Sequence, residues 1–148
     1  MIKVCKFGGT SMADAKAIRQ VKNIITSDQS RKYVVVSAPG KRFKEDIKIT
    51  DMLYRCYNEV MESGTCKKSF SVIRTRFKEI AVDLGVKLDI DAILDQTEKD
   101  IDENKSADFS ASRGEYLSAR IIADFLGYEF VDASELIRFD RHGKLNDD

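Results

Sequence analysis

The sequence predicts an α/β chain built on a largely parallel sheet, and three observations carry that prediction. Two short apolar or β-branched runs near the N-terminus are separated by one amphipathic helical pattern. Glycines stand at the ends of several longer segments with helical apolar spacing. The stretch Lys6-Phe7-Gly8-Gly9-Thr10-Ser11 forms a strand-to-helix junction rich in small residues. Strand, helix and strand within about 37 residues make a βαβ unit, whose crossover is right-handed as a rule.

Residues 2–5 read as the first strand and 13–25 as a helix. Ala17, Ile18, Val21, Ile24 and Ile25 share one helical face, and Lys16, Arg19, Gln20 and Lys22 the other. After the polar break at 27–30, residues 33–36 are a β-branched run bounded by turn residues, the pattern of a strand covered on both faces. Ser37-Ala38-Pro39-Gly40 ends that strand, and 41–48 is a charged loop. Thr50 suits the N-cap of a helix that buries Met52, Leu53, Cys56, Tyr57, Val60 and Met61 and stops at Gly64.

Phe70, Ile73, Phe77, Ile80, Ala81 and Leu84 mark the next helix, ended by Gly85, and Ile90, Ile93, Leu94 and Ile101 another. A longer helix is expected over 106–126, with Tyr116, Leu117, Ile121, Ile122 and Phe125 inward and Gly127 as its stop. Gly114 lies inside it, where glycine costs about 1 kcal/mol relative to alanine, and so points to close approach by another group. Residues 128–131 read as a third strand. Residues 1–137 form the expected body and 138–148 a polar tail with a turn at His142-Gly143. Three strands with no closing element leave open edges, so the domain looks cut short.

Charge and composition narrow the function. The 25 basic and 25 acidic side chains cancel, which argues against a general nucleic-acid or anionic-membrane binder. Apolar runs reach only about five residues, too short to span a membrane, and the N-terminus is too short in apolar residues for a signal peptide. Cys5, Cys56 and Cys66 lack a C-x-x-C pair and read as reduced thiols of a cytoplasmic protein. With His142 the sole histidine, a structural zinc site is not expected. The acid-rich stretch 83–108 reads as a solvated helix face rather than a metal site.

Ligands of open parallel sheets sit at the carboxyl ends of the strands. Those ends are Lys6 to Ser11, Ser37 to Gly40, and Asp132-Ala133-Ser134. Gly8 and Gly9 allow a tight turn and close approach to backbone N–H groups at a helix start, where anions are favoured. Lys6 adds a full positive charge. Taken alone, Gly-Gly-Thr-Ser fits a purely structural turn equally well. Neither a Walker A loop nor a G-x-G-x-x-G loop occurs.

These residues also carry a family resemblance. Val4-Cys5-Lys6-Phe7-Gly8-Gly9-Thr10-Ser11 resembles the K-F-G-G-T-S motif that opens aspartate kinases. Val34-Val35-Val36-Ser37-Ala38, followed by Thr50-Asp51-Met52-Leu53, is similar to that family's second motif. Ser112-Arg113-Gly114-Glu115 with Leu117-Ser118-Ala119 resembles its third, S-x-G-E-x-x-S-A. The three motifs stand in family order and cover the chain to about Ile137. Met12 replaces a more usual valine, a nearly volume-conserving change.

The resemblance implies the carbamate kinase-like amino acid kinase fold, an α/β/α sandwich around a mainly parallel sheet. It implies transfer of the ATP γ-phosphoryl group to the β-carboxylate of L-aspartate, with Mg2+ bridging the phosphates, at the entry to lysine, threonine and methionine synthesis. Lys6 would be the catalytic lysine that neutralises the transferring phosphoryl group, and Gly8 and Gly9 would offer N–H groups to the β- and γ-phosphates. Thr10 and Ser11 would assist or cap a helix. Ser37 would lie near the reacting groups or simply end a strand. Thr50 would contact substrate, which is compatible with capping. Glu115 would hold the substrate α-ammonium, whereas Arg113 reads equally well as a solvated helix arginine.

No metal-ligating residue is expected, and the implied partners are L-aspartate and Mg-ATP in the cytoplasm, with no nucleic acid or membrane. The full-length form is expected to be a homo-oligomer. Such kinases continue into a second catalytic half and regulatory ACT domains, so this chain alone is expected to be nearly inactive. Two alternatives stay open: another amino acid kinase acting on glutamate or a nucleoside monophosphate, and a non-catalytic assembly fragment that pairs through its sheet edge.

Overall fold

A computed structural model describes residues 1–145. Its elements are β1 (Lys3–Phe7), a 3-10 turn (Gly9–Met12), α1 (Ala15–Thr26), β2 (Arg31–Val36), α2 (Ile49–Ser63), α3 (Lys67–Leu84), α4 (Ile90–Asn104), α5 (Ala107–Leu126) and the single turn α6 (Ala133–Leu136). β1 and β2 run parallel, with Cys5 opposite Val34 and Phe7 opposite Val36, so the βαβ unit stands as expected. The helices pack against one another and against the inner face of this pair. Leu53, Phe70, Ile73, Phe77, Leu94 and Leu117 are wholly buried between α2, α3, α4 and α5.

Local chemistry sets the helix ends. Asp14 accepts from the Ala17 N–H at 2.8 Å at the start of α1, Asp89 from Ala92 at 3.0 Å before α4, and Ser106 from Phe109 at 3.2 Å before α5. Each satisfies a donor that the first helical turn leaves unpaired. Gly64, Gly85 and Gly127 end α2, α3 and α5 in the left-handed conformation, as the sequence led us to expect.

Several readings need correction. Among the described residues the sheet is covered on one face only: Val36 is buried, while Val4, Tyr33 and Val35 are 68%, 61% and 50% exposed on the other side. A β-branched run reports strand propensity, and both faces are occupied only if another layer lies there. Thr50 is not the N-cap. α2 begins at Ile49, which is buried, and the Ile49 N–H donates to the Pro39 carbonyl at 3.2 Å. Lys48 takes the cap position without a side-chain bond.

Residues 128–131 form no strand, because the sheet of the described residues contains only β1 and β2. The Tyr128 N–H instead closes the end of α5 on the Ala123 carbonyl, and the Phe130 ring packs edge-on to Tyr116 at 5.6 Å. A strand needs a neighbouring edge, and this segment spends its contacts on α5. Asp132 to Ser134 is likewise no open loop: Asp132 caps α6 by accepting from the Ser134 N–H at 2.9 Å.

Ile24 and Met61, expected on apolar helix faces, are 48% and 59% exposed. The turn at His142-Gly143 is present, with Phe139 bridged antiparallel to Leu145; the end of the expected tail, 146–148, lies outside the described residues. The three cysteines are free, and the hydrogen bond with the Cys56 thiol, followed by burial, pushes the Cys66 thiol far up. The acid-rich stretch does more than face solvent: Asp95 and Glu98 pair with Arg74 at 2.8 and 2.9 Å, and Asp91 with Lys78 at 2.8 Å, tying α4 to α3. No membrane-length apolar helix occurs among the described residues.

Candidate functional site

The carboxyl ends of β1 and β2 lie side by side, and each runs into a loop that touches the other. After β1, Gly8 stays extended (φ −79°, ψ 176°), and the chain then tightens into the 3-10 turn, with Ser11 N–H on the Gly8 carbonyl at 3.0 Å. After β2, Ser37 N–H donates to the Phe7 carbonyl at 3.0 Å, and Gly40 N–H donates to the Gly9 carbonyl at 2.8 Å. The contact demands glycine on both sides. A Cβ on Gly40 would fall 2.8 Å from the Gly9 carbonyl carbon, and a Cβ on Gly9 would fall 3.0 Å from the Ala38 carbonyl oxygen.

The glycine turn is not the start of α1. Asp14 caps that helix, so its positive end already faces a carboxylate. The donors left for an anion are those opening the 3-10 turn, whose first N–H groups have no partner within so short a helix.

From the other side α5 closes against the second loop. A Cβ on Gly114 would meet Ala38 Cβ at 2.5 Å and Leu53 Cδ1 at 3.1 Å. The close approach expected at Gly114 is therefore made by the protein itself. Glu115, the next residue, is carried to the rim of a cleft of about 460 Å³.

That cleft gathers Gly9 and Thr10 from the first loop, Ser37 from the second, Thr50 from the first turn of α2, and Glu115 from α5. It does not include every expected site residue. Lys6 and Gly8 are exposed outside its lining, and Ser11 is half-buried behind the turn. Lys6 alternates with the inward-facing Cys5 and Phe7, so it leaves the strand on the sheet face opposite the helices, and it has no ion pair among the described residues. Asp132 to Ser134 do not line the cleft.

Ala38, Pro39 and Gly40 of the expected strand end also line it, together with Lys41 and Lys48, which were not singled out from the sequence. Their signal was available: two lysines bracket the loop that joins Ser37 to Thr50. Three lysines near two glycine-rich loops suit an anion with several charges, and a lone carboxylate at the rim suits an ammonium group. Among the described residues no three acidic, histidine or cysteine side chains gather as a metal site.

Arg76 on α3 was also overlooked, although it is buried against the back of both loops. Burial and the neighbouring Arg42 push its proton affinity down, and Asp46 opposes them. Asp46 is itself held well below the usual carboxylate range by hydrogen bonds from Arg42.

Residues 1–145 match the amino acid kinase family. Aspartokinase 3 of Bacillus subtilis (strain 168) is 36% identical over 139 residues, covering 89% of this chain and 30% of the relative. Aspartokinase of Chlamydia trachomatis serovar D is 32% identical over 126 residues, covering 82% of this chain and 27% of the relative. Among solved structures, aspartate kinase of Clostridium acetobutylicum superposes with a TM-score of 0.94 at 45% identity, covering 98% of this chain and 33% of that one. Aspartokinase III of E. coli, in complex with lysine and aspartate, superposes with a TM-score of 0.74 at 25% identity, covering 99% of this chain and 35% of that one. The chain thus spans about a third of the length of these proteins.

Proposed function

The chain belongs to the amino acid kinase family, and we propose that it supplies the phosphate-binding loops and part of the amino-acid site of an aspartate kinase. One observation carries the reading: Thr10, Ser37, Thr50 and Glu115, far apart in sequence, line a single cleft. The reaction would join a β-carboxylate oxygen of L-aspartate to the γ-phosphorus of ATP and break the bond to ADP, leaving 4-phospho-L-aspartate. Such transfers need positioning and charge compensation more than covalent help from the protein.

Lys6 would swing from the strand end to the transferring phosphoryl group. Gly8 and Gly9 N–H groups would take the β- and γ-phosphate oxygens, with Thr10 and Ser11 beside them. Lys41 and Lys48 would add positive charge at the lip. Ser37 and Thr50 would face the reacting carboxylate, and Glu115 would accept the substrate α-ammonium. Magnesium would enter with ATP, compensating phosphate charge. Lysine, threonine and methionine synthesis, a cytoplasmic location and a homo-oligomeric full-length form belong to the same proposal. The aspartokinase relatives favour aspartate over glutamate or a nucleoside monophosphate as acceptor.

Amide chemical shifts of the isotope-labelled chain test this. Millimolar Mg-ATP should move the signals of 8–11 and 37–40, and L-aspartate those near Thr50 and Glu115. Lys6→Met should weaken Mg-ATP and spare aspartate, and Glu115→Gln the reverse. Shifts scattered outside the cleft, or an equal response to L-glutamate, would reject the assignment.

A further inference from the structure

Arg76 belongs to none of the three motifs, yet it joins two of them from behind. It projects from α3 with 5% of its surface exposed. Its Nε and Nη2 groups donate to the Ala13 carbonyl at 3.3 and 2.7 Å, and Nη2 also donates to the Gly40 carbonyl at 2.6 Å. Nη1 meets Asp46 Oδ2 at 3.1 Å. Ala13 directly follows the 3-10 turn, and Gly40 closes the loop after β2. The two loops are therefore fastened twice, by Gly40 N–H on the Gly9 carbonyl at 2.8 Å and by one guanidinium on the α3 side.

We propose that Arg76 is a positioning residue for phosphate binding: without lining the cleft, it sets the spacing between the Gly9–Thr10 wall and the Ser37–Gly40 wall. The proposal rests on the cleft's being the phosphate site. Three features single out this arginine. It sits outside the cleft lining, so a loss of ligand affinity on its substitution would act through the loops. Its planar fork serves two carbonyls and a carboxylate at once, whereas a lysine ammonium offers a single point charge. Its orientation is fixed in turn, because Asp46 is gripped by Arg42 through the backbone N–H at 2.9 Å and Nε at 2.8 Å. Removing the guanidinium leaves two inward carbonyls without that donor.

The test uses the full chain as wild type, Arg76→Lys and Arg76→Met, with Arg74→Ala as control. Arg74 lies on the same helix but pairs with Asp95 and Glu98 of α4. Hydrogen exchange at the Gly40 amide reads the clasp, and Mg-ATP affinity reads its consequence. In Arg76→Lys, Gly40 exchange should quicken about tenfold or more while the Leu94 and Ile101 amides keep their protection. Mg-ATP affinity should fall between about ten- and a hundredfold, the scale of one lost hydrogen bond to a charged group. Arg74→Ala should change neither. If Arg76→Met does not fold, Arg76→Lys still decides. Wild-type binding with an unaltered Arg76→Lys would overturn this proposal alone, as would exchange that rises uniformly through the core. Absence of wild-type Mg-ATP binding would overturn the cleft reading and this one with it.

Discussion

Replacing Gly114 by alanine asks whether α5 is seated as closely as the structure has it. At an unobstructed helix position the change gains about 1 kcal/mol. Here the new Cβ falls 2.5 Å from Ala38 Cβ, about 1 Å inside the usual carbon–carbon separation. Ala38 has no rotamer to escape into, and its neighbours are held by Ser37 N–H on Phe7, Gly40 N–H on Gly9 and Ile49 N–H on Pro39. Overpacking of this kind costs about 1–3 kcal/mol. Net of the helix gain, Gly114→Ala should destabilise the chain by about 1 kcal/mol, or about 2–4 °C in Tm for a domain near this size. Urea unfolding followed by circular dichroism measures it. Ala38→Gly removes the obstructing methyl, so in that background the same substitution should stabilise by about 1 kcal/mol. A stabilising Gly114→Ala in the wild-type background would refute the close seating of α5 on the second loop.

Gly40→Ala should be harsher than a surface change, since its Cβ would meet backbone at 2.8 and 2.9 Å on Gly9; a loss of about 1–3 kcal/mol in the same unfolding assay is expected, with loss of Gly40 amide protection. Asp14→Ala should cost about 1 kcal/mol by uncapping α1, while Asp14→Asn, an equally good cap, should cost little. Asp46 gives a pH dependence. Its folded pKa lies below the unfolded value of about 3.9, so its contribution is full above that value and is lost as pH falls through the lower folded one. Asp46→Asn should therefore be less stable than wild type at neutral pH, and the gap should narrow below about pH 4. A gap independent of pH, measured by unfolding across that range, would contradict it.

Much of the fold could be read from local chemistry. The stops at Gly64, Gly85 and Gly127 and the apolar spacing of α1 to α5 depend only on residues near in sequence. What failed depended on partners. Residues 128–131 have a strand's composition but pair with neither β1 nor β2, because Tyr128 and Phe130 are held on α5 instead. Residues 33–36 look covered twice, but one face has no second layer among the described residues. Thr50 resembled a cap because capping is judged from neighbours, whereas the start of α2 is fixed by Ile49 sinking into the core and bonding to Pro39.

The site divides in the same way. Gly114 was recognisable as a place of close approach, but that Ala38 makes the approach is a tertiary fact. Arg76 stands at helical spacing with Ile73 and Ile80, on the stripe that buries α3. A charged residue on such a stripe is a signal that composition alone would discount. Once the carbonyls of Ala13 and Gly40 are seen to converge on it, the arginine explains how two loops 27 positions apart keep one spacing. Side chains that touch a ligand can be matched to a motif, whereas the group that holds the loops in register lies outside every motif because its acceptors are backbone atoms, which carry no residue identity.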